Sequence, residues 1–247
     1  MTSPTAALIV IGSEILSGKV QDENTPFIAR ELRRLGVALM RVVVIPDDVP
    51  VIAREVAEAS RAHTWVFTTG GVGPTHDDVT MEAVARAFGR SLVPSTELVE
   101  HLQRAKRGRA PEALIRLCTV PEGAGLVWGE GERVWPTVHI DNVYIFPGVP
   151  AFLRARFADL QGRLLSAPFV SSSVYCAWSE TDLVERINAA VAGWPDVAIG
   201  SYPEFARADY RVRITFDGKS RAAVDGATDA FLASLPDEAL VRVERPS

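Results

Sequence analysis

The sequence predicts a three-layer α/β/α domain with a mostly parallel sheet, followed by a smaller α+β domain. Three observations support this. Short apolar runs alternate with helical patterns through the first two thirds of the 247 residues, glycine-rich or Pro-Asp turns follow the runs, and the element grammar changes near "LLSAPF" at residues 164–169. The expected boundaries are 1–167 for the first domain and 168–247 for the second.

The apolar run at residues 6–11 ends at Gly12 and suits a strand buried on both faces. From Asn24, the spacing of Phe27, Ile28, Leu32 and Leu35 predicts a helix that Gly36 stops. "VALMRVVVIPDD" is then a strand, "VPVIAREVAEASRA" a helix and "TWVFTTGG" a strand, which completes a βαβαβ unit. "VTMEAVARAFG" reads as the next helix, with Asp77 or Asp78 in its first turn, where the helix dipole favours a carboxylate. In the middle, "STELVEHLQRAKRG" and "APEALIRLCTV" read as helices and "PEGAGLVWGEGERVW" as loop and short strand. "NVYIFPGVPAFLRARFADL" supplies another buried strand, a turn and an amphipathic helix. Beyond residue 169 the order strand, helix, strand, strand, helix, strand is the split βαββαβ, or ferredoxin-like, unit. No repeat or heptad pattern suggests a solenoid or a coiled coil.

The hydrophobic content of 47% is that of a globular protein, and the net charge of -5 argues against a dedicated nucleic-acid binder. Small molecules or proteins are the expected partners. Cys118 and Cys176 match no metal or redox spacing and read as buried free thiols. The N-terminus lacks a basic leader and its apolar run is too short for a signal peptide or membrane span, so a cytoplasmic protein without membrane association is expected.

The chemistry concentrates in "TTGGVGPTHDDVT", residues 68–80. Gly70, Gly71 and Gly73 let the backbone approach a ligand and turn N–H groups toward an anion, and the helix N-terminus behind them adds partial positive charge. In open α/β sheets ligands sit beyond the C-terminal strand ends, where "GSE" and "PDD" would join this loop. Glu14, Asp47, Asp48, Asp77 and Asp78 converging on a phosphate would repel one another unless a divalent cation, Mg²⁺, Mn²⁺ or Co²⁺, lay between them. Each element also has a plainer use: the glycines as a tight turn, the aspartates as helix caps, His76 as a solvated side chain and "FPGVP" as a turn.

"TTGGVGPTHDDVT" resembles the "TTGGTG...RDVT" signature of the molybdopterin-binding, MoaB/Mog-like superfamily. "GSEILSGKVQDENTPFIARELRRLGV", "VVIPDD" and "FPGVP" are similar to the CinA-like branch, which includes the N-terminal domain of eukaryotic FAD synthase, and "IGSYPEFARADYRVRITF" resembles that branch's second domain. The resemblance implies the three-layer fold and carries Asp47 and Asp78 over as catalytic residues, and Glu14, Asp77 and Asp78 are the residues expected to hold a metal. It places Gly12, Ser13, Glu14, Ser17 and Asn24 in the first loop of the binding site. Thr69, Gly70, Gly71, Gly73, Pro74 and Thr75 belong to its second loop, and Pro147 and Gly148 to its third. Ser13 departs from the aspartate or threonine common in relatives, which removes a candidate metal ligand. The deamidase or adenylyltransferase domain that normally follows in such proteins does not appear, so neither activity is expected.

The activity implied is metal-dependent hydrolysis of nucleotide diphosphates such as ADP-ribose or FAD to AMP plus the other phosphorylated half. One alternative is a protein that binds or adenylates molybdopterin, the pterin ligand of the family name. Another is a non-catalytic nucleotide-binding regulatory module. Relatives imply a homo-oligomer, a dimer or a trimer.

Overall fold

The computed structural model describes residues 3–106, 112–130, 135–206 and 209–245. It divides into two units, Met1–Ser166 and Ala167–Ser247.

In the first unit the chain runs β1 (Thr5–Ile11), α1 (Ser13–Leu16), α2 (Asn24–Arg34), β2 (Ala38–Ile45), α3 (Val49–Ala62), β3 (Trp65–Thr69) and α4 (Thr80–Ala87). It continues through β4 (Leu92–Pro94), α5 (Thr96–Lys106), α6 (Glu112–Ile115), β5 (Thr119–Pro121), β6 (Gly125–Val127), β7 (Thr137–Ile140), β8 (Val143–Phe146), α7 (Pro150–Ala158) and α8 (Gln161–Leu164). Six strands form a sheet in the order β2-β1-β3-β8-β7-β6. The first four are mutually parallel, and β7 and β6 extend the sheet antiparallel.

β1 shows why its sequence is uniformly apolar. Ala7, Ile9 and Ile11 point to one face and pack with Ile52 and Val56 of α3, Val84 of α4 and Leu98 of α5. Ala6, Leu8 and Val10 point to the other and pack with Ile28 and Leu32 of α2 and Leu153 and Phe157 of α7. A strand covered by helices on both sides has no solvent face on which to place polar residues. At the end of α2, Gly36 takes φ 78° while the N–H of Val37 reaches the carbonyl of Leu32, so the glycine ends this helix as expected.

The middle region departs from the sequence reading. The expected helix over residues 110–120 is only α6 and a 3-10 turn, Arg116–Cys118, before Thr119 and Val120 enter β5. β-branched residues at 119–120 pair with β4 through Val93↔Val120, which outweighs local helical periodicity. Residues 107–108 and 110–111 of the two expected helices, and 131–134 of the expected loop and strand, lie outside the described residues. β7 was not anticipated. It pairs with β8 across the tight Asp141–Asn142 turn, where Asp141 has φ 48° and the Asn142 amide donates to the carbonyls of Ser60 (3.0 Å) and His63 (2.8 Å).

His139 of β7 stacks on Tyr144 with ring centroids 5.1 Å apart, and burial lowers its pKa from the usual 6.5. The unfolded chain therefore takes up this proton more readily than the folded one. Stability present above pH 6.5, the ordinary histidine value, is lost as the pH falls below it and then below the depressed folded value. Thermal denaturation of wild type and His139→Gln across pH 5 to 8 checks this, with a flatter midpoint-against-pH curve expected for the variant.

The second unit comprises β9 (Val170–Cys176), α9 (Glu180–Gly193), β10 (Ala198–Pro203), β11 (Val212–Gly218), α10 (Arg221–Ser234) and β12 (Leu240–Glu244). Its antiparallel sheet runs β10-β11-β9-β12 and is the expected βαββαβ arrangement. Val174, Cys176, Val212, Ile214 and Phe216 pack under Leu183 of α9 and Val224 and Phe231 of α10. Ser179 opens α9 with a reciprocal capping box to Asp182. Cys118 and Cys176 are both free and buried, and burial pushes the Cys176 thiol up to about 11.

Candidate functional site

Parallel strands β1, β3 and β8 end side by side at Ile11, Thr69 and Phe146, so the loops that follow them meet at one sheet edge. There a cavity of about 810 Å³ opens. Glu14, Asn24, Thr69, Gly70, Gly71, Gly73, Pro74, Asp78, Pro147 and Gly148 all line it. Of the other residues singled out from sequence, Gly12, Ser13, Ser17, Asp47, Thr75 and Asp77 do not.

The glycine loop is held tightly. Gly70 has φ 101°, and a Cβ on it would overlap the Ile11 carbonyl oxygen, so only glycine fits. Its N–H, expected to face an anion, instead donates to the Phe146 carbonyl at 3.2 Å. Thr80, fully buried, donates its hydroxyl to the Gly70 carbonyl (2.8 Å) and its N–H to the Gly71 carbonyl (3.1 Å). Among the described residues, no hydrogen bond uses the N–H of Gly71, Val72 or Gly73. Within the lining of the glycine loop these three are the backbone donors left for a ligand.

The carboxylates separate by role. Asp78 precedes α4, whose N-cap is Val79, and so does not occupy the first helical turn as expected. Its Oδ2 accepts the Thr75 N–H at 2.8 Å and the Thr75 hydroxyl, and this local turn competes with capping. The carboxylate lies so close over Gly73 that a Cβ there would sit 2.5 Å from Oδ2. Asp48 does cap, accepting the Val51 N–H of α3 at 2.9 Å. Asp47 accepts both the N–H (2.8 Å) and the hydroxyl (2.9 Å) of Ser13, so Ser13 ties the first loop to the turn after β2. Asp77 and His76 face solvent outside the cavity lining, with His76 Nδ1 4.0 Å from Asp77 Oδ1.

Asn24 links the other two loops. Its amide donates to Thr69 Oγ1 (2.9 Å) and the Gly148 carbonyl (2.8 Å), while the Thr69 hydroxyl donates to the Pro147 carbonyl (3.0 Å). Among the described residues its buried Oδ1 has no partner. A side chain held by both loops at once sets their spacing.

Sequence reasoning missed several lining residues: Asp22, Glu23, Met81, Glu82, Arg116, Trp135 and Arg156. Asp22 had a signal, an acidic residue just before a predicted helix, and its Oδ1 accepts the N–H groups of Asn24 (2.9 Å) and Thr25 (3.0 Å). Trp135 and the arginines had none, because only the tertiary fold turns them toward the cavity.

A parallel sheet whose strand ends open into a cavity, with a glycine loop and carboxylates in its wall, defines an α/β domain for a small ligand. The chain belongs to the family described as "Probable molybdopterin binding domain", whose model matches residues 7–166, and the model "FAD synthase, middle domain" matches residues 168–244. A protein of Archaeoglobus fulgidus is 37% identical over 231 residues, covering 94% of this chain and 98% of its own. The "Probable FAD synthase" of Caenorhabditis elegans is 35% identical over 254 residues, covering 92% of this chain, which in turn spans 49% of that protein. The solved structure of the protein CinA from Thermoplasma acidophilum, of unknown function, aligns with a TM-score of 0.59 at 26% identity over 66% of this chain and 99% of its own. The chain is thus a molybdopterin-binding-like domain with a second domain, related to FAD synthase and CinA proteins. Among the described residues no helix is long and apolar enough to cross a membrane.

Proposed function

We propose that the protein is a nucleotide pyrophosphatase, cleaving the diphosphate of an ADP-ribose- or FAD-type ligand to AMP and the other phosphorylated half. One observation carries the reading: unpaired N–H groups at Gly71–Gly73 stand beside Glu14 and Asp78 in the wall of one cavity. Donors positioned in advance stabilise charge as it builds on a phosphoryl group, and in a partly desolvated site they do so strongly.

The family resemblance implies a divalent metal. No three His, Cys, Asp or Glu side chains among the described residues group into a ligand set, so the expected trio of Glu14, Asp77 and Asp78 is not a preassembled cage. Asp77 lies outside the cavity lining, which leaves Glu14 and Asp78 of that trio. Two carboxylates suit a hard cation that enters on the substrate's phosphates, as Mg²⁺ commonly does. Bound there, the cation would neutralise phosphate charge and polarise the scissile bond.

The remaining work falls to the chain. The Gly71–Gly73 amides hold the diphosphate, and Asp47, through Ser13, positions the loop bearing Glu14. Water adds to one phosphorus and the bridging oxygen leaves with the other half, so each product carries a terminal phosphate. Met81, Trp135, Pro136, Val138 and Ile145 form an apolar part of the wall that suits a flat ring.

That apolar wall also favours a second reading, a molybdopterin-binding protein that seats the pterin ring. Chromatography of protein incubated with ADP-ribose, FAD or NAD, with and without Mg²⁺, Mn²⁺, Co²⁺ or chelator, separates the two. Metal-dependent AMP release is expected. Binding of molybdopterin with no AMP from any of the three would favour the second reading.

A further inference from the structure

The cavity wall contains five carboxylates, Glu14, Asp22, Glu23, Asp78 and Glu82, and only two cations among the described residues, Arg116 and Arg156. Arg116 is exposed, whereas Arg156 is half-buried on α7. The other half-buried arginines among the described residues each have a partner: Arg41 meets Glu55 and Glu58, each at 2.7 Å, Arg242 meets Asp209 at 3.1 Å, Arg186 donates to the Ser234 carbonyl at 2.8 Å, and Arg213 lies over the Tyr202 ring. Arg156 has no ion-pair or hydrogen-bond partner among the described residues, and it lines the cavity with Val149 and Phe152, its neighbours toward the start of the same helix. Helical side chains lean toward the helix N-terminus, a direction that for Arg156 runs toward the Pro147–Val149 turn, whose Gly148 lies against Gly70.

From this placement we propose that Arg156 is the phosphate-binding residue of the cavity and makes it selective for phosphate-bearing ligands over neutral ones. A guanidinium has no acceptor role and stays protonated, so one half-buried in a cavity wall without an acidic neighbour keeps donors that an arriving anion can take. Burial lowers its pKa to about 10, which still leaves it charged at neutral pH. Its planar donors match two oxygens of one phosphate, and the Gly71–Gly73 amides are placed to take the other oxygens of a diphosphate. The inference rests on the pyrophosphatase reading for the diphosphate, but not for the anion itself.

The test is calorimetric titration, in chelator so that no turnover occurs, of wild type, Arg156→Gln and Arg156→Lys with ADP-ribose, AMP, inorganic pyrophosphate and adenosine. Near-ultraviolet circular dichroism confirms that each variant is folded. Loss of one charge-assisted contact is expected to weaken the phosphate-bearing ligands about 10- to 100-fold in Arg156→Gln, with adenosine unchanged and partial recovery in Arg156→Lys. Equal affinity of wild type and a folded Arg156→Gln for all phosphate-bearing ligands would overturn the inference and leave the pyrophosphatase reading standing. Failure of wild type to bind any phosphate-bearing ligand, inorganic pyrophosphate included, would overturn the inference, while the metal-dependent release of AMP tests the pyrophosphatase reading separately. Inorganic pyrophosphate bound by wild type but not by Arg156→Gln, with no nucleotide bound, would uphold the anion site and sink only the nucleotide reading.

Discussion

Gly70→Ala is expected to lose at least about 3 kcal/mol of stability in the first unit, a cost at the large end for a single methyl group. Two penalties combine. The backbone at φ 101° lies where an L side chain is strained, and the new Cβ would collide with the Ile11 carbonyl, which is backbone at the end of β1 and has no rotamer to give. Relief would mean moving the end of β1 away from β3, against the pairing of Val10 with Thr69. Thermal denaturation should show the midpoint falling by roughly 6–12 °C. A midpoint within 2 °C of wild type would show that the loop relaxes and that glycine is not required there.

Asp78→Asn is expected to cut AMP release by about 10²- to 10³-fold while leaving the fold intact, the range seen when one preorganised charge-stabilising group is removed. The amide oxygen of asparagine still accepts from the Thr75 N–H and hydroxyl, so the turn survives, but the charge beside the cavity is gone. Gly73→Ala provides an independent approach to the same carboxylate. It adds a Cβ 2.5 Å from Asp78 Oδ2 at a position without positive φ, so it displaces the carboxylate with little backbone strain. Turnover in both variants, followed with matched circular dichroism, checks the assignment. Full activity in a folded Asp78→Asn would remove Asp78 from the reaction.

How far the sequence alone reached follows from which signals are local. The uninterrupted apolar run of β1 announces a strand covered on both faces, and Gly36 announces a helix end, because each depends on a few neighbouring residues. The β7–β8 hairpin turns at Asp141–Asn142, a pair without the glycine of the usual two-residue hairpin turns, so residues 137–141 carry no strand assignment from the sequence alone. The site was readable as three loops at one sheet edge, but not as roles. Adjacent aspartates look alike in sequence, yet Asp47 holds Ser13 while Asp48 caps α3, and Asp78 turns into the cavity while Asp77 faces away. A one-residue step decides each, and loop geometry sets it. Arg156 had no signature at all, since an arginine on an amphipathic helix reads as a solvated one until the fold withholds its partner.

Hydrolysis of a phosphoanhydride at this cavity leaves its mark in the oxygen of the products. The most direct measurement is mass spectrometry of the products formed from ADP-ribose and FAD in ¹⁸O-labelled water with Mg²⁺, Mn²⁺ or Co²⁺. AMP and the complementary monophosphate are expected in equal amounts, with one labelled oxygen in one member of the pair per turnover. Intact substrate under every metal, from protein shown to be folded, or products without label, would contradict hydrolysis at this cavity.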